Sequence, residues 1–225
     1  MELTLRHPVE LRIDRHSGKD MFRYLFVIWF LVIAGVALAT EEPSYTVVEQ
    51  VGDLELRTYD PMIIAETVVS GSMNDASSAG FRLIADYIFG NNTARQGGNE
   101  KISMTAPVTL EPQSEKINMT APVAMEKSGE NWRVHFVMPS EYDLATLPVP
   151  NNPAVRLREV PATNYAVIRF SGWVNEKKVA AKTAELMAWL DSKGIEASGE
   201  PELARYNPPW TLPFLRRNEV MVAYR

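Results

Sequence analysis

Alternating apolar and polar positions predict that the first half of the chain, after its N-terminal segment, is rich in strands. Short runs with many Val, Ile and Thr residues predict strands at 45–50, 54–59 and 62–69, with turn residues between them. A helical spacing follows at 73–89, where Gly90 is placed to end the helix. Two further apolar stretches, 102–110 and 117–125, complete this half.

The second half repeats that order of elements. Strands are predicted at 132–138, 155–160 and 165–170, a helix at 175–193, and a last strand at 219–224. Two β-rich halves with one helix each predict an α+β fold. Its sheet would be antiparallel and barrel-like, with the two helices outside it.

A shared motif supports a duplication. The pattern Ser-Gly-x-x-Asn-acid occurs at residues 70–75 and again at 171–176. We expect Asn74 and Asn175 to cap the two helices and Gly71 to match Gly172. The alternative is that both helices simply use common capping residues. The duplication predicts pseudo-repeats at about 45–126 and 132–225.

The N-terminal segment, 1–39, differs from the rest of the chain. An uncharged apolar run at 24–38 ends in Ala37-Leu38-Ala39, which is typical of a signal peptide. The run is short for a membrane span, which needs about 20 residues. One interpretation starts translation at Met21 and cleaves near Thr40; the other keeps residues 22–39 as a membrane anchor, with 1–20 in the cytoplasm. Either way, we expect 40–225 to be an exported domain, periplasmic or extracellular.

Composition excludes several classes of function. The net charge of -5 offers no basic patch for nucleic acid. The absence of cysteine removes disulfides, thiolate metal sites and cysteine nucleophiles. Beyond residue 39 the one histidine is His135, which strand alternation places with Arg133, away from Val134. We interpret it as solvated or hydrogen-bonded rather than as an axial ligand, and we expect neither a catalytic site nor a metal site.

The first predicted helix carries more apolar surface than a surface helix needs. Ala76, Gly80, Leu83 and Tyr87 form one stripe suited to the core. The residues of a second apolar line could face a ligand cleft, with two methionines and two aromatic residues as further walls. The alternative is a wide core face. The cleft hypothesis names Phe81, Ile84, Ala85, Ile88, Met104, Met119, Trp210 and Phe214.

Three segments resemble the SOUL haem-binding family: 101–108, 206–210 and 216–220. The resemblance implies a duplicated, distorted β-barrel flanked by two helices, which binds haem or another tetrapyrrole without a known reaction. Where a family member proposed to ligate iron has a histidine, this chain has Thr58. Where other members have basic residues for the haem propionates, it has Ser78, Asp86 and Thr211.

Taken together, we expect a non-enzymatic protein that binds haem or another tetrapyrrole, non-covalently, for carriage or buffering outside the cytoplasm. The alternative is a protein-interaction or amphiphile-binding module on the same fold. Arg216 joins the predicted binding residues as a partner for ligand carboxylates, although it could equally anchor its own loop. A membrane would be a partner only through an uncleaved N-terminal segment.

Overall fold

The computed structural model describes residues 40–95 and 116–225. The N-terminal segment, the apolar stretch at 102–110 and Met104 therefore lie outside the described residues. The elements in chain order are β1 (Tyr45–Val51), β2 (Leu54–Tyr59), β3 (Met62–Val69), α1 (Met73–Ile88), β4 (Asn92–Thr93), β5 (Val123–Ser128), β6 (Asn131–Val137), β7 (Val149–Pro150), β8 (Arg156–Val160), β9 (Thr163–Phe170), α2 (Glu176–Lys193), β10 (Glu202–Arg205), a 3-10 turn (Pro213–Leu215) and β11 (Asn218–Ala223). Within these ranges, the helices are too short or too polar to cross a membrane.

Nine of the strands form one antiparallel sheet, in the order β1-β2-β9-β11-β10-β5-β6-β3-β8. Strands β2 and β3 stand six places apart in this order, which is about 29 Å in a flat sheet. Yet Asp60-Pro61 alone joins them, and that link spans at most about 11 Å from Tyr59 to Met62. A similar two-residue link joins β8 to β9. The sheet must therefore curl into a half-barrel, which confirms the predicted fold class.

The pairing order occurs twice. In one half β3 leads through α1 to β5 and β6, and the three strands pair as β3-β6-β5. In the other half β9 leads through α2 to β10 and β11, which pair as β9-β11-β10. Both helices thus follow strands with the same topology, which is what a duplication predicts. The repeat boundaries themselves stay a prediction.

The two helices begin differently despite the shared motif. Asn175 caps α2 as predicted, because its side chain accepts a hydrogen bond from the Lys178 amide at 2.8 Å. The expectation that Asn74 caps α1 was wrong. Ser72 takes that position and accepts from the Asp75 amide at 3.3 Å. Asn74 therefore lies inside the first helical turn, where its side chain is available to another partner.

Both helices cover the same face of the sheet, here called the outer face. The main apolar core lies between the helices and this face. Helix α1 approaches β6 closely at Gly80, where an added Cβ would lie only 2.6 Å from the Val134 side chain. The core between helices and sheet includes Leu56, Ala65, Ile84, Tyr87, Ile88, Val134, Phe136, Ile168, Leu186, Leu190, Leu203 and Val220.

The inner face, which the helices leave uncovered, is unusually polar. The Arg57 side chain is 1% exposed and reaches across β9 to Glu219 on β11, with nitrogen–oxygen distances of 2.9 and 3.1 Å. Glu55 and the Tyr59 hydroxyl complete its hydrogen bonds at 2.7 and 3.0 Å. A span of two strand spacings, about 10 Å, is bridged because the sheet curves toward this face. Paired charges therefore fill part of the half-barrel.

Candidate functional site

Most of the second apolar line of α1 faces the core. Ile84 and Ile88 are fully buried and Ala85 is 6% exposed. Phe81 reaches the surface at 38% exposure, with its ring centroid 5.6 Å from that of Phe136. The wide core face anticipated as the alternative accounts for the three buried residues. A role for them in ligand binding stays a prediction.

A second group of the predicted residues lies together on the loop between β10 and β11. Trp210 is 83% exposed and Phe214 is 70% exposed. Trp173, just before α2, is also exposed, and the backbone ties its segment to the loop because Gly172 N donates to Pro213 O at 2.8 Å. We call the exposed apolar side chains of these two segments the aromatic patch: Trp173, Trp210, Leu212, Phe214 and Leu215.

Arg216 holds the patch together. Its guanidinium carbon lies 4.6 Å from the centroid of the Trp173 ring. Its nitrogens donate to the carbonyl oxygens of Thr211 and Pro209, at 2.8 and 2.5 Å, on either side of Trp210. Arg216 thus anchors its own loop, which was one of the two roles expected for it. These bonds leave its charge without a counter-ion among the described residues.

Arg205, at the end of β10, brings a second cation to the same place. Burial lowers its pKa, and the positive charge of Arg216 lowers it further. Its Nη2 donates to Asn74 Oδ1 at 3.5 Å, and its buried Nε has no hydrogen-bond partner. Neither guanidinium forms an ion pair within 40–95 or 116–225. We call Arg205 and Arg216 the arginine pair.

Arg217, which follows Arg216 in the chain, is different because it has carboxylate partners, although its buried Nε has no hydrogen-bond partner among the described residues. It forms an ion pair with Glu42 and lies 3.6 Å from Glu219, and its guanidinium stacks 3.3 Å over the Tyr206 ring. The Tyr206 hydroxyl donates to Glu219 at 2.7 Å. These contacts join the loop to the inner-face charges, so residues from the two C-terminal segments of the family resemblance, 206–210 and 216–220, fix the base of the loop.

His135 lies on the inner face, remote from Arg205, which extends from the outer face toward α1. Its side chain is 14% exposed, with Nε2 at 3.8 Å from Glu202 Oε2. It is therefore mostly buried rather than solvated, and its Nδ1 has no hydrogen-bond partner among the described residues, so the expectation of a solvated or hydrogen-bonded histidine was wrong. Burial lowers its pKa to about 4. Glu202 is buried beside Glu126, which raises its pKa to about 7, and Tyr165 donates to it at 3.2 Å. A neutral imidazole enclosed in this layer is not presented to the aromatic patch.

Sequence reasoning missed Arg205 and Trp173. Arg205 directly precedes the Tyr206 motif, and Trp173 occupies a variable position of the Ser-Gly-x-x-Asn motif. Neither position carries a pattern of its own. Met119, predicted as a cleft wall, is 36% exposed in the segment before β5.

The curled antiparallel sheet with two helices on one face defines an α+β fold that solved structures of other proteins share. The chain resembles the EcmrR C-terminal domain with a TM-score of 0.54 and 10% identity, covering 80% of this chain and 98% of that one. It resembles EcmrR in its DNA complex with a TM-score of 0.52 and 12% identity, covering 92% and 66%. A hydrolase from Listeria innocua gives a TM-score of 0.48 at 9% identity, covering 92% and 98%. At these identities the likeness concerns the fold alone.

The family is defined by the sequence. The model of the SOUL heme-binding protein family matches residues 40–115 and 111–223, so the chain belongs to that family. No curated protein sequence matches this chain. Membership confirms the resemblance inferred from the motifs.

The described residues suit the carboxylates and the flat ring of a haem group, but they offer its iron no histidine at the patch. The arginine pair suits carboxylates, and exposed indole and phenyl rings suit a flat apolar ring system. A histidine ligand for iron is missing at the patch among the described residues, because their one histidine is enclosed on the inner face.

Proposed function

We propose that this protein binds a carboxylate-bearing tetrapyrrole, haem or a relative of haem, at the aromatic patch, without catalysing a reaction on it. The observation that carries the proposal is the arginine pair, two guanidinium groups that form no ion pair within the described residues, one of which, Arg216, lies against the exposed ring of Trp173. Guanidinium groups pair strongly with carboxylates, and such pairs are worth most where water is excluded. Membership in a heme-binding family supports the same ligand class.

In this proposal the porphyrin plane packs on Trp210 and Phe214, and its carboxylates approach Arg205 and Arg216. Binding then depends on the ring and the carboxylates, and hardly on the metal. Phe81, Ile84, Ala85 and Ile88 support the site only indirectly, by fixing α1, whose Asn74 contacts Arg205. The apolar run at 24–38 supports a role outside the cytoplasm, in carriage or buffering.

The test compares haemin with metal-free protoporphyrin IX. Both should quench tryptophan fluorescence, with dissociation constants that agree within about threefold, or about 0.7 kcal/mol. If the iron formed a bond to the protein, its absence from protoporphyrin IX would weaken binding by far more than that. A haemin affinity more than a hundredfold above that of protoporphyrin IX would show that an iron ligand dominates, and would overturn the proposed mode.

An interaction with another protein is the second candidate. It is favoured by the five large apolar side chains of the aromatic patch, since contiguous exposed apolar surface often marks a protein contact. If neither porphyrin binds at micromolar concentration, this candidate replaces the first.

A further inference from the structure

A cleft of about 730 Å³ opens between the ends of several strands, apart from the residues of the aromatic patch. Its lining includes both two-residue links that close the half-barrel, at Asp60-Pro61 and Pro161, together with the strand ends at Met62, Val137 and Val160. The volume lies in the range of small-molecule sites, about 300–1,000 Å³.

The lining combines apolar walls with charges of one sign. Apolar walls come from five strand or turn residues and four prolines: Met62, Ile63, Val137, Met138, Val160, Pro43, Pro61, Pro139 and Pro161. Four carboxylates also line it, and the lining contains no Lys, Arg or His. Apolar walls lower the local dielectric, so that carboxylates of one sign attract a cation more strongly than they would on open surface.

The four carboxylates fall into two pairs. Glu41 accepts a hydrogen bond from Ser140 N at 2.9 Å, and Glu42 pairs with Arg217, so these two are engaged in holding the structure. Asp60 and Glu159 are exposed, and within the described ranges their side chains form neither an ion pair nor a hydrogen bond. They are the carboxylates left for a ligand.

We propose that this cleft binds a monovalent organic cation with an apolar body, such as an aromatic or alkyl ammonium compound. The apolar part lies against the prolines and against Met62 and Met138, whose unbranched side chains adapt to different shapes. The charged end lies between Asp60 and Glu159, and the Tyr142 ring at the cleft wall adds a face for the cation. The ligand class is opposite in charge to the one proposed for the arginine pair.

The probe pair is rhodamine 6G and fluorescein, a cationic and an anionic dye built on the same three-ring body. In fluorescence anisotropy titrations of the full chain, rhodamine 6G should bind saturably, and fluorescein at least about tenfold more weakly, because two carboxylates act on the dye charge. Raising the salt from 50 to 500 mM should weaken rhodamine binding severalfold, since the cleft is open to solvent. The two dyes are compared in the Arg205→Gln variant, because the arginine pair would itself attract the carboxylate of fluorescein. Equal binding of the two dyes to that variant would overturn the proposal.

Variants locate the site. Asp60→Asn with Glu159→Gln should lower rhodamine 6G affinity about tenfold. The matched control, Glu130→Gln with Asp191→Asn, removes the same charge from exposed positions outside the cleft and should leave affinity within twofold. An equal loss in both double variants would reduce the effect to net charge and contradict the cleft.

Two further variants make the result independent of the tetrapyrrole proposal. Ser44→Trp fills the cleft from an exposed lining position and should abolish dye binding, while circular dichroism reports that the protein is folded. Arg205→Gln should leave rhodamine binding intact. If Arg205→Gln removes rhodamine binding and the cleft variants do not, the dye binds at the aromatic patch and the cleft proposal is wrong, whatever the outcome with porphyrins.

Discussion

The inner face of the half-barrel and the surface sites use charge in opposite ways. On the inner face Arg57 is buried with Glu55, Glu219 and Tyr59 around it, and its nitrogens are occupied. The half-buried Arg205 and Arg216, in contrast, form no ion pair within residues 40–95 and 116–225, and Arg216 lies against the Trp173 ring of the aromatic patch. Since burying an unpaired charge is costly, paired charges can hold a fold, whereas a half-buried cation without a carboxylate favours an anionic ligand. The presence or absence of a carboxylate partner thus distinguishes arginines that hold the fold from arginines proposed to bind a ligand. The residue type alone does not distinguish them.

The largest effect should come from breaking the paired set, which consists of Arg57 with Glu55, Glu219 and Tyr59. Arg57→Ala should lower the free energy of unfolding by about 3–5 kcal/mol, because it leaves Glu55 and Glu219 buried without their cation. Urea unfolding measures the loss. The control is Arg82→Ala on α1, an exposed arginine away from the inner face whose removal should cost less than about 0.5 kcal/mol. Equal costs for the two variants would refute the structural role assigned to the inner face.

The second effect concerns pH, because two neighbours on the inner face have pKa values shifted in opposite directions. The pKa of Glu202 rises from 4.5 to about 7, so the folded protein holds an extra proton and Glu202 lowers stability as the pH rises through that window. The pKa of His135 falls from 6.5 to about 4, so His135 lowers stability as the pH falls through its window. Between about pH 4.5 and 6.5 the two contributions oppose each other.

Single variants should expose each contribution. Glu202→Gln should make the protein lose about 2 kcal/mol of stability on acidification from pH 6.5 to 4, and His135→Gln should make it lose a similar amount as the pH rises from 4.5 to 7. Urea midpoints at half-unit pH intervals give the slopes. Parallel pH profiles in both variants would show that these two groups do not control the balance.

The third effect tests the arginine pair. Arg205→Gln should lower protoporphyrin IX affinity about tenfold, which corresponds to about 1.4 kcal/mol, with little change in stability because Arg205 forms no ion pair among the described residues. Arg156→Gln, an exposed arginine of β8, is the matched control and should leave affinity unchanged. A loss of stability as large as that of Arg57→Ala would mean that Arg205 belongs to the paired set after all.

The smallest expected effect belongs to a single ring. Trp210→Ala should lower porphyrin affinity about fivefold, since Trp173 and Phe214 remain for the flat ring system. Trp189→Ala on α2 is the control for the loss of one tryptophan. An effect of Trp189→Ala equal to that of Trp210→Ala would move the site away from the loop.

The sequence predicted the order of elements and the fold class because both depend on local periodicity. It also named Trp210, Phe214 and Arg216 as binding residues. The structure places the three on one loop, and their role in binding stays a prediction. It could not predict that Arg57 pairs with Glu219, since alternation gives the face of a side chain but not a partner 162 residues away. Nor could it separate a cleft from a wide core along Ile84, Ala85 and Ile88. That depends on the close approach of α1 to β6 at Gly80, which is a tertiary contact.

The porphyrin is proposed to bind at the aromatic patch, and the tryptophan indole N–H signals report where it binds. Trp173 and Trp210 belong to the aromatic patch, whereas Trp189 lies on α2 beside Lys193. In NMR spectra of the 15N-labelled protein, assigned with Trp→Phe variants, protoporphyrin IX should shift or broaden the signals of Trp173 and Trp210 and leave Trp189 unchanged. Binding that perturbs Trp189 and spares the other two would contradict the account.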